Sequence, residues 1–320
     1  MTQNKEWKPF VEQLDLLKKR GLQVDNESAA LNYLDRIGYY RLSGYWYSFR
    51  ELEIIQGATG QLTASRKNQF IENSHFEDAV KLYVFDKKLR MLAVDALERI
   101  ELAVRVDIAH LLGEYDTHAH ENPALFHGHF ARQRIRNGRD EGKTQHDLWL
   151  ERHSQVLQRA RREPFVAHYN NKYGRLPIWV AIEVWDFGLM SKLFAGMKPA
   201  DQMSIANKYG AANGRAFSGW LRSFNFIRNV SAHHSRLWNI NILERAALLQ
   251  EDSYWQQLNN ARPFYYYCLM QKLMKVICPN SSWGQRFADL MSEFPAVSCG
   301  SVSLRDFDLL EDWQEWELWP

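Results

Sequence analysis

Residues 224–239 read FNFIRNVSAHHSRLWN and place Arg228, Asn229, His233, His234 and Arg236 within nine positions. Apolar Phe224, Phe226, Ile227, Leu237 and Trp238 bracket them. A guanidinium is a planar, permanently charged fork that matches phosphate. An imidazole titrates near neutrality and can take or give a proton at physiological pH. Together these groups are a minimal kit for cleaving RNA without a metal. One imidazole accepts the proton of the 2′-hydroxyl as it attacks phosphorus, and a second imidazole protonates the leaving 5′-oxygen. Arg228 neutralises the charge that develops on the phosphorane, while Asn229 orients phosphate or ribose. The products of such chemistry are a 2′,3′-cyclic phosphate and a 5′-hydroxyl. DNA, lacking the attacking group, would be inert.

Arg followed by His after four to six residues is a weak pattern by itself. It recurs here at Arg105/His110, Arg139/His146, Arg161/His168 and Arg162/His168, so context has to decide,. The context at 228 is an added Asn and a doubled His where an apolar helix would otherwise continue. One difficulty is geometric. At about 100° per residue, Arg228 and His233 lie roughly 140° apart around a straight helix, whereas Asn229 and His233 share a face. Either the helix distorts near Val230 and Ser231, or two chains pair so that their motifs line one cleft. The bland alternative is a salt-bridged Arg228 beside a packed or capping His233.

The elements that must position this segment read as helices. Residues 10–20 carry a helical apolar pattern that stops at Gly21, and a second helix begins after the capping pair Asp25–Asn26,. GYYRLSGYWYSF, residues 38–49, has two readings: rings that wedge the N-terminal helices onto the body, which we favour, or, with Arg41 and Arg50, a base-stacking platform,. Residues 57–65 are small and polar and read as a loop. Residues 76–112 lack Gly and Pro and repeat apolar positions every three or four residues, predicting a spine of one or two helices,. Helices are also expected over 146–173 with a break at Pro164, over 177–194 with Pro177 at the first helical position, and over 199–209, 244–258 and 263–277,. Nothing alternates like a sheet, so the expected fold is all-α. The expected divisions are an N-terminal helical region (1–72), a helical domain (73–278) and an acidic, Trp-rich tail (279–320) whose Trp313, Trp316 and Trp319 dock it as a helix or strap.

The totals narrow the partners. A chain of 320 residues with 46% apolar and 24% charged residues can bury a substantial core, and a net charge of +2 gives no whole-molecule field for nucleic acid,. Any basic surface must be local. Residues 130–175 hold it: Arg132, Arg134, Arg136, Arg139, Arg159, Arg161 and Arg162 form, with Arg236, a candidate RNA-backbone footprint,. Cys268, Cys278 and Cys299 are odd in number and unpaired by spacing, which suits a reducing cytoplasm,. The N-terminus lacks a signal peptide's apolar core, and no run reaches the length of a membrane span,. His118/His120 and His127/His129 resemble paired metal ligands but sit in an expected loop, so they read as surface histidines, with no metal and no cofactor,.

Four blocks in order, RIGYYRLSGYWYSFR, ALERIELAVRVDIAHLL, LPIWVAIEVWDFGLMSKLF and FIRNVSAHHSRLWN, resemble the Abi family of bacterial abortive-infection proteins, within the HEPN superfamily. The resemblance runs from about Leu31 to Trp238. It implies a HEPN-like helical bundle and a metal-independent endoribonuclease whose R-x4–6-H motif supplies Arg228 and His233, with Asn229 as polar neighbour and His234 sharing or taking the histidine role. It also implies a homodimer with a composite site, and for some relatives a small structured RNA partner. The competing reading from another class is a non-catalytic RNA-binding or regulatory module. A purely structural interaction protein, acting through the Trp-rich tail, is the third.

Overall fold

Capping chemistry sets most of the helix boundaries. The computed structural model describes residues 6–56 and 60–319. α1 (Phe10–Lys19) buries Leu14 and Leu17. α2 (Glu27–Arg36) starts at Asn26, whose side chain accepts the Ala29 N–H at 2.9 Å,. α3 (Tyr39–Trp46) buries Tyr45 and Trp46, and Phe49 beyond it is buried too. Part of the aromatic stretch is therefore the expected wedge, but Tyr40 and Tyr47 stay outside.

A hairpin follows that the sequence did not announce. β1 (Arg50–Gln56) pairs antiparallel with β2 (Leu62–Phe70), with Ile54 opposite Ala64. Of the expected loop at 57–65, residues 57–59 lie outside the described residues and 62–65 are strand. The hairpin leaves Leu52, Ile54, Ile55 and Leu62 exposed. With neither face buried, selection for an apolar side is absent and the period-2 signal vanishes.

α4 (Phe76–Tyr115) is one helix of 40 residues and forms the spine. Its buried Leu82, Phe85, Leu89, Ala96, Ile100, Val104, Ile108 and Leu112 recur at three- and four-residue steps, and it packs against α3 and the later helices,. Those are α5 (Gly128–Ala131), α6 (Gln145–Ala160), α7 (Pro164–Tyr173), α8 (Ile178–Ala181), α9 (Phe187–Gly196), α10 (Pro199–Lys208), α11 (Gly214–Ala232), α12 (Ser253–Gln257), α13 (Pro263–Ile277) and α14 (Trp283–Ser292). Pro164, Pro199 and Pro263 each open a helix, where a missing N–H costs nothing,.

Two expected helices are broken. Pro177 lies just before the first helical residue; α8 is one turn, a tighter turn follows, and Trp185 is extended because Asp186 caps a new helix by accepting the Leu189 N–H at 2.7 Å. Over 244–258 only α12 is helical. There the backbone is claimed from outside: Ser223 donates to the Glu244 carbonyl, Asn260 to Ala246, Tyr265 to Ala247, and the Ala246 N–H donates to Tyr266. Tertiary hydrogen bonds have replaced helical ones. The tail is a strap rather than a long helix. Trp313, Trp316 and Trp319 are buried, Trp319 stacks on Phe287 of α14 at 4.4 Å, and Gln271 of α13 donates to the Leu318 carbonyl. Among the described residues no helix is long and apolar enough to cross a membrane, and the three cysteines are free.

Candidate active site

α11 buries Phe217, Trp220, Leu221, Phe224, Ile227 and Ser231 along one face. That face dictates the rest: Arg228 and Asn229, one step round, are half-buried, and His233 and His234, past the last turn, are exposed. The helix does not bend at Val230 and Ser231. It ends instead at Ala232, with His233 as cap, the His234 N–H on the Ser231 carbonyl at 3.1 Å and the Ser235 N–H on the Val230 carbonyl at 2.9 Å. These two bonds are a Schellman cap, and its left-handed position is normally glycine. Here it is His234, at φ 57°. A side chain held in that region is strained, and such positions concentrate at functional sites.

The loop after the cap is stitched to two elements at once. Arg41 of α3 donates to the His234 carbonyl at 2.6 Å, and Arg236 donates to the Gly44 carbonyl. Behind it Asp86 of α4 is fully buried and accepts from the Leu237 and Trp238 N–H groups at 3.0 and 2.8 Å, from the Tyr45 hydroxyl at 2.6 Å and from Arg90. Arg90 also reaches the Ser235 carbonyl at 3.4 Å. Burial pushes the Asp86 carboxyl up while Arg90 and the three other donors oppose it, and the same desolvation, with Asp86 beside it, drives the Tyr45 hydroxyl far above the ordinary tyrosine range,.

Arg228 faces a different neighbourhood. Its guanidinium is 3.4 Å from Asn229 Oδ1, and burial raises the Glu101 carboxyl of α4 against the opposing charges of Arg105 and then Arg228. Arg105 ties Glu101 to the Trp185 carbonyl, and Arg152 of α6 is 3.4 Å from Asp186. Among the described residues no hydrogen bond joins Arg228 to either histidine. The four motif residues thus share one helix end, with the guanidinium towards α4 and the imidazoles towards solvent.

The basic segment is exposed. Arg132, Arg134, Arg136, Arg139, Arg159, Arg161 and Arg162 are all at the surface, and among the described residues none pairs with a carboxylate. Arg134 donates to the Gly142 carbonyl at 3.1 Å. On α6, Arg159 lies two turns beyond Arg152 on the same face, so the charge leads away from the Asp186 corner,.

The histidine expectation needs correcting. His120 is fully buried, packed with His146, His153, Trp149 and Trp185, and both of its ring nitrogens lack a hydrogen bond. Desolvation lowers the pKa of His120 to about 3 and of His153 to about 4. Ligand atoms of His120, Glu121 and His153 lie within 4.8 Å of one another. The donor pattern does not suit a metal, though. Trp185 donates its indole N–H to His153 Nδ1 at 2.9 Å, which puts the ring proton on Nε2 and leaves no lone pair to coordinate,. His127 caps α5 by accepting the Phe130 N–H. Sequence reasoning missed this cluster because the loop that carries His120 gives no periodic burial signal. It also missed Asp86 and Glu101, and that Arg41, read only with the aromatic stretch, holds the loop from an element far away in the chain.

A family model for Abi-like proteins matches residues 32–239. The chain belongs to the Abi-like protein family. No curated protein and no solved structure matches it. The family span takes in the second half of α2, all of α3, α4 and α11, and ends at Asn239, one residue past the loop that Asp86 holds. Everything that supports the motif is therefore inside the Abi-like segment, and the helices α12–α14 and the Trp strap lie outside it.

Proposed function

We propose that this Abi-like chain is a metal-independent endoribonuclease of a bacterial abortive-infection system, a HEPN-type helical protein that acts in the cytoplasm. The observation that carries the reading is the strained, braced cap of α11: Arg228 and Asn229 precede it, His233 and His234 form it, and the imidazoles are exposed. One imidazole accepts the 2′-hydroxyl proton, Arg228 binds the phosphate oxygens, and an imidazole protonates the 5′-oxygen as the P–O bond breaks. The exposed arginines 132, 134, 136, 139, 159, 161 and 162 hold the RNA backbone, and Arg236 flanks the motif.

Among the described residues of one chain no hydrogen bond joins the guanidinium to either imidazole, so the reading includes a homodimer. Leu102 and Val106 are exposed on α4, one step round from Glu101 and Arg105, and the exposed Trp179 lines the same cleft as Val106. A second copy seated there brings a second motif to the first. The test is to incubate purified chain with end-labelled RNA in EDTA and type the new ends. Cyclic phosphate and 5′-hydroxyl are expected from the wild type and neither from His233→Ala; activity that requires added divalent metal defeats the reading. The lack of such a bond in one chain favours, as second reading, a non-catalytic RNA-binding module that holds a small structured RNA. Growth arrest by the wild type, relieved in Arg228→Ala, distinguishes the two.

A further inference from the structure

Between α3 and the loop after α11 lies an open groove of about 410 Å³, lined by Tyr40, Arg41, Gly44, Tyr47, His234 and Arg236 among others. We propose that this groove seats a single-stranded RNA segment, with nucleobases stacked on Tyr40 and Tyr47 and phosphates running along Arg41 and Arg236 to His234. The proposal rests on the ribonuclease reading and gives it a strand path.

Four observations point the same way. Tyr40 is 89% exposed and Tyr47 49%, although both sit in a stretch where Tyr45, Trp46 and Phe49 are buried and Tyr39 is half-buried. Folding therefore does not use them, and an exposed ring has a free face for a base. The Arg50 guanidinium lies 5.7 Å from the Tyr47 ring centroid, which steadies that ring,. Arg41 and Arg236 donate only to the carbonyls of His234 and Gly44, and among the described residues neither pairs with a carboxylate, so both charges remain for phosphate,. Gly44, finally, sits inside α3, where glycine costs stability relative to alanine,. A Cβ there would meet nothing within 4 Å, so protein packing does not require the glycine. Close approach of a strand to the backbone would use it. A protein ligand would use the rings as well, but two uncompensated guanidiniums beside exposed aromatics match the backbone and bases of a single strand better.

The experiment uses the full chain and an oligonucleotide of roughly twelve residues, within the site sizes such grooves accept. The probe carries 2-aminopurine and is fully 2′-O-methylated, so binding is read without cleavage. Tyr40→Ala is expected to weaken binding roughly five- to hundredfold, and Tyr40→Phe, which keeps the ring, to restore it. Gly44→Leu fills the groove and is expected to weaken binding while leaving the thermal midpoint unchanged or higher. In cleavage assays with unmodified RNA, Tyr40→Ala raises KM and spares kcat if the groove takes substrate. If it takes a resident small RNA, the RNA that co-purifies is lost instead; either result places single-stranded RNA in the groove. Wild-type binding and cleavage by both Tyr40→Ala and Gly44→Leu overturn the groove and leave the motif reading standing. Groove-dependent binding without cleavage by any form does the reverse. Should Tyr40→Ala alter only association with protein, or should the wild type bind no RNA, the proposal falls.

Discussion

The loop at residues 233–238 has a buried side and an exposed side, and the two are furnished differently. Behind it, Asp86 accepts from a guanidinium, a phenol and two backbone N–H groups, with no oxygen left over. In front of it, the His233 and His234 rings make no hydrogen bond among the described residues and stand in solvent. A buried carboxylate has to be satisfied or it destabilises the fold. An exposed imidazole that has to exchange protons has to be left unoccupied. On the proposed reading one side holds and the other carries the chemistry, and that division can be attacked from either side.

The largest effect belongs behind the loop. Asp86→Ala strands Arg90 and two backbone donors and should cost about 3–5 kcal/mol of stability, read by denaturant unfolding. Next, His233→Ala should lower the cleavage rate by roughly 10²–10⁴-fold and move unfolding stability by less than about 0.5 kcal/mol. A large stability loss from His233→Ala, or a negligible one from Asp86→Ala, would erase the division of labour.

A third prediction uses the buried histidines as a control region, where imidazoles do serve packing. Above the ordinary histidine pKa of about 6.5, folded and unfolded chains both hold neutral rings. Between there and the folded values of about 3 for His120 and about 4 for His153, only the unfolded chain takes up protons,. Stability should therefore fall on acidification, by about 2 kcal/mol for each ring between pH 7 and 5. In His120→Phe that loss should shrink, with no penalty at pH 7, since neither His120 nitrogen is hydrogen-bonded. Smallest of all, His234→Gly relieves the left-handed residue and should raise stability by about 0.5–1 kcal/mol. If cleavage drops at the same time, the His234 ring takes part in the chemistry.

The helices were legible where one face is buried. α4 and α13 announce themselves through apolar periodicity, and α2 and α10 through an Asn cap or a first-turn proline. The hairpin and the interrupted 244–258 segment were not. The first has no buried face to leave a pattern, and the second is held open by Asn260, Tyr265 and Tyr266, which lie beyond it in the chain. Residue types and spacing were enough to propose Arg228 through Arg236 as the site. Its supports were invisible because Asp86 and Arg41 look like ordinary surface charges of helices until the fold brings them to residues 234–238.

Asp86 and Glu101 belong to the same uninterrupted helix, fifteen residues or roughly 22 Å apart along its axis,. α4 is thus a ruler laid under the motif, with the histidine-bearing loop pinned at one graduation and the guanidinium facing another. The two supports cannot drift independently. Any rearrangement that moves α11 relative to the loop anchored on Asp86 has to turn at the short stretch between them, and the left-handed residue at 234 is where that pivot is already wound.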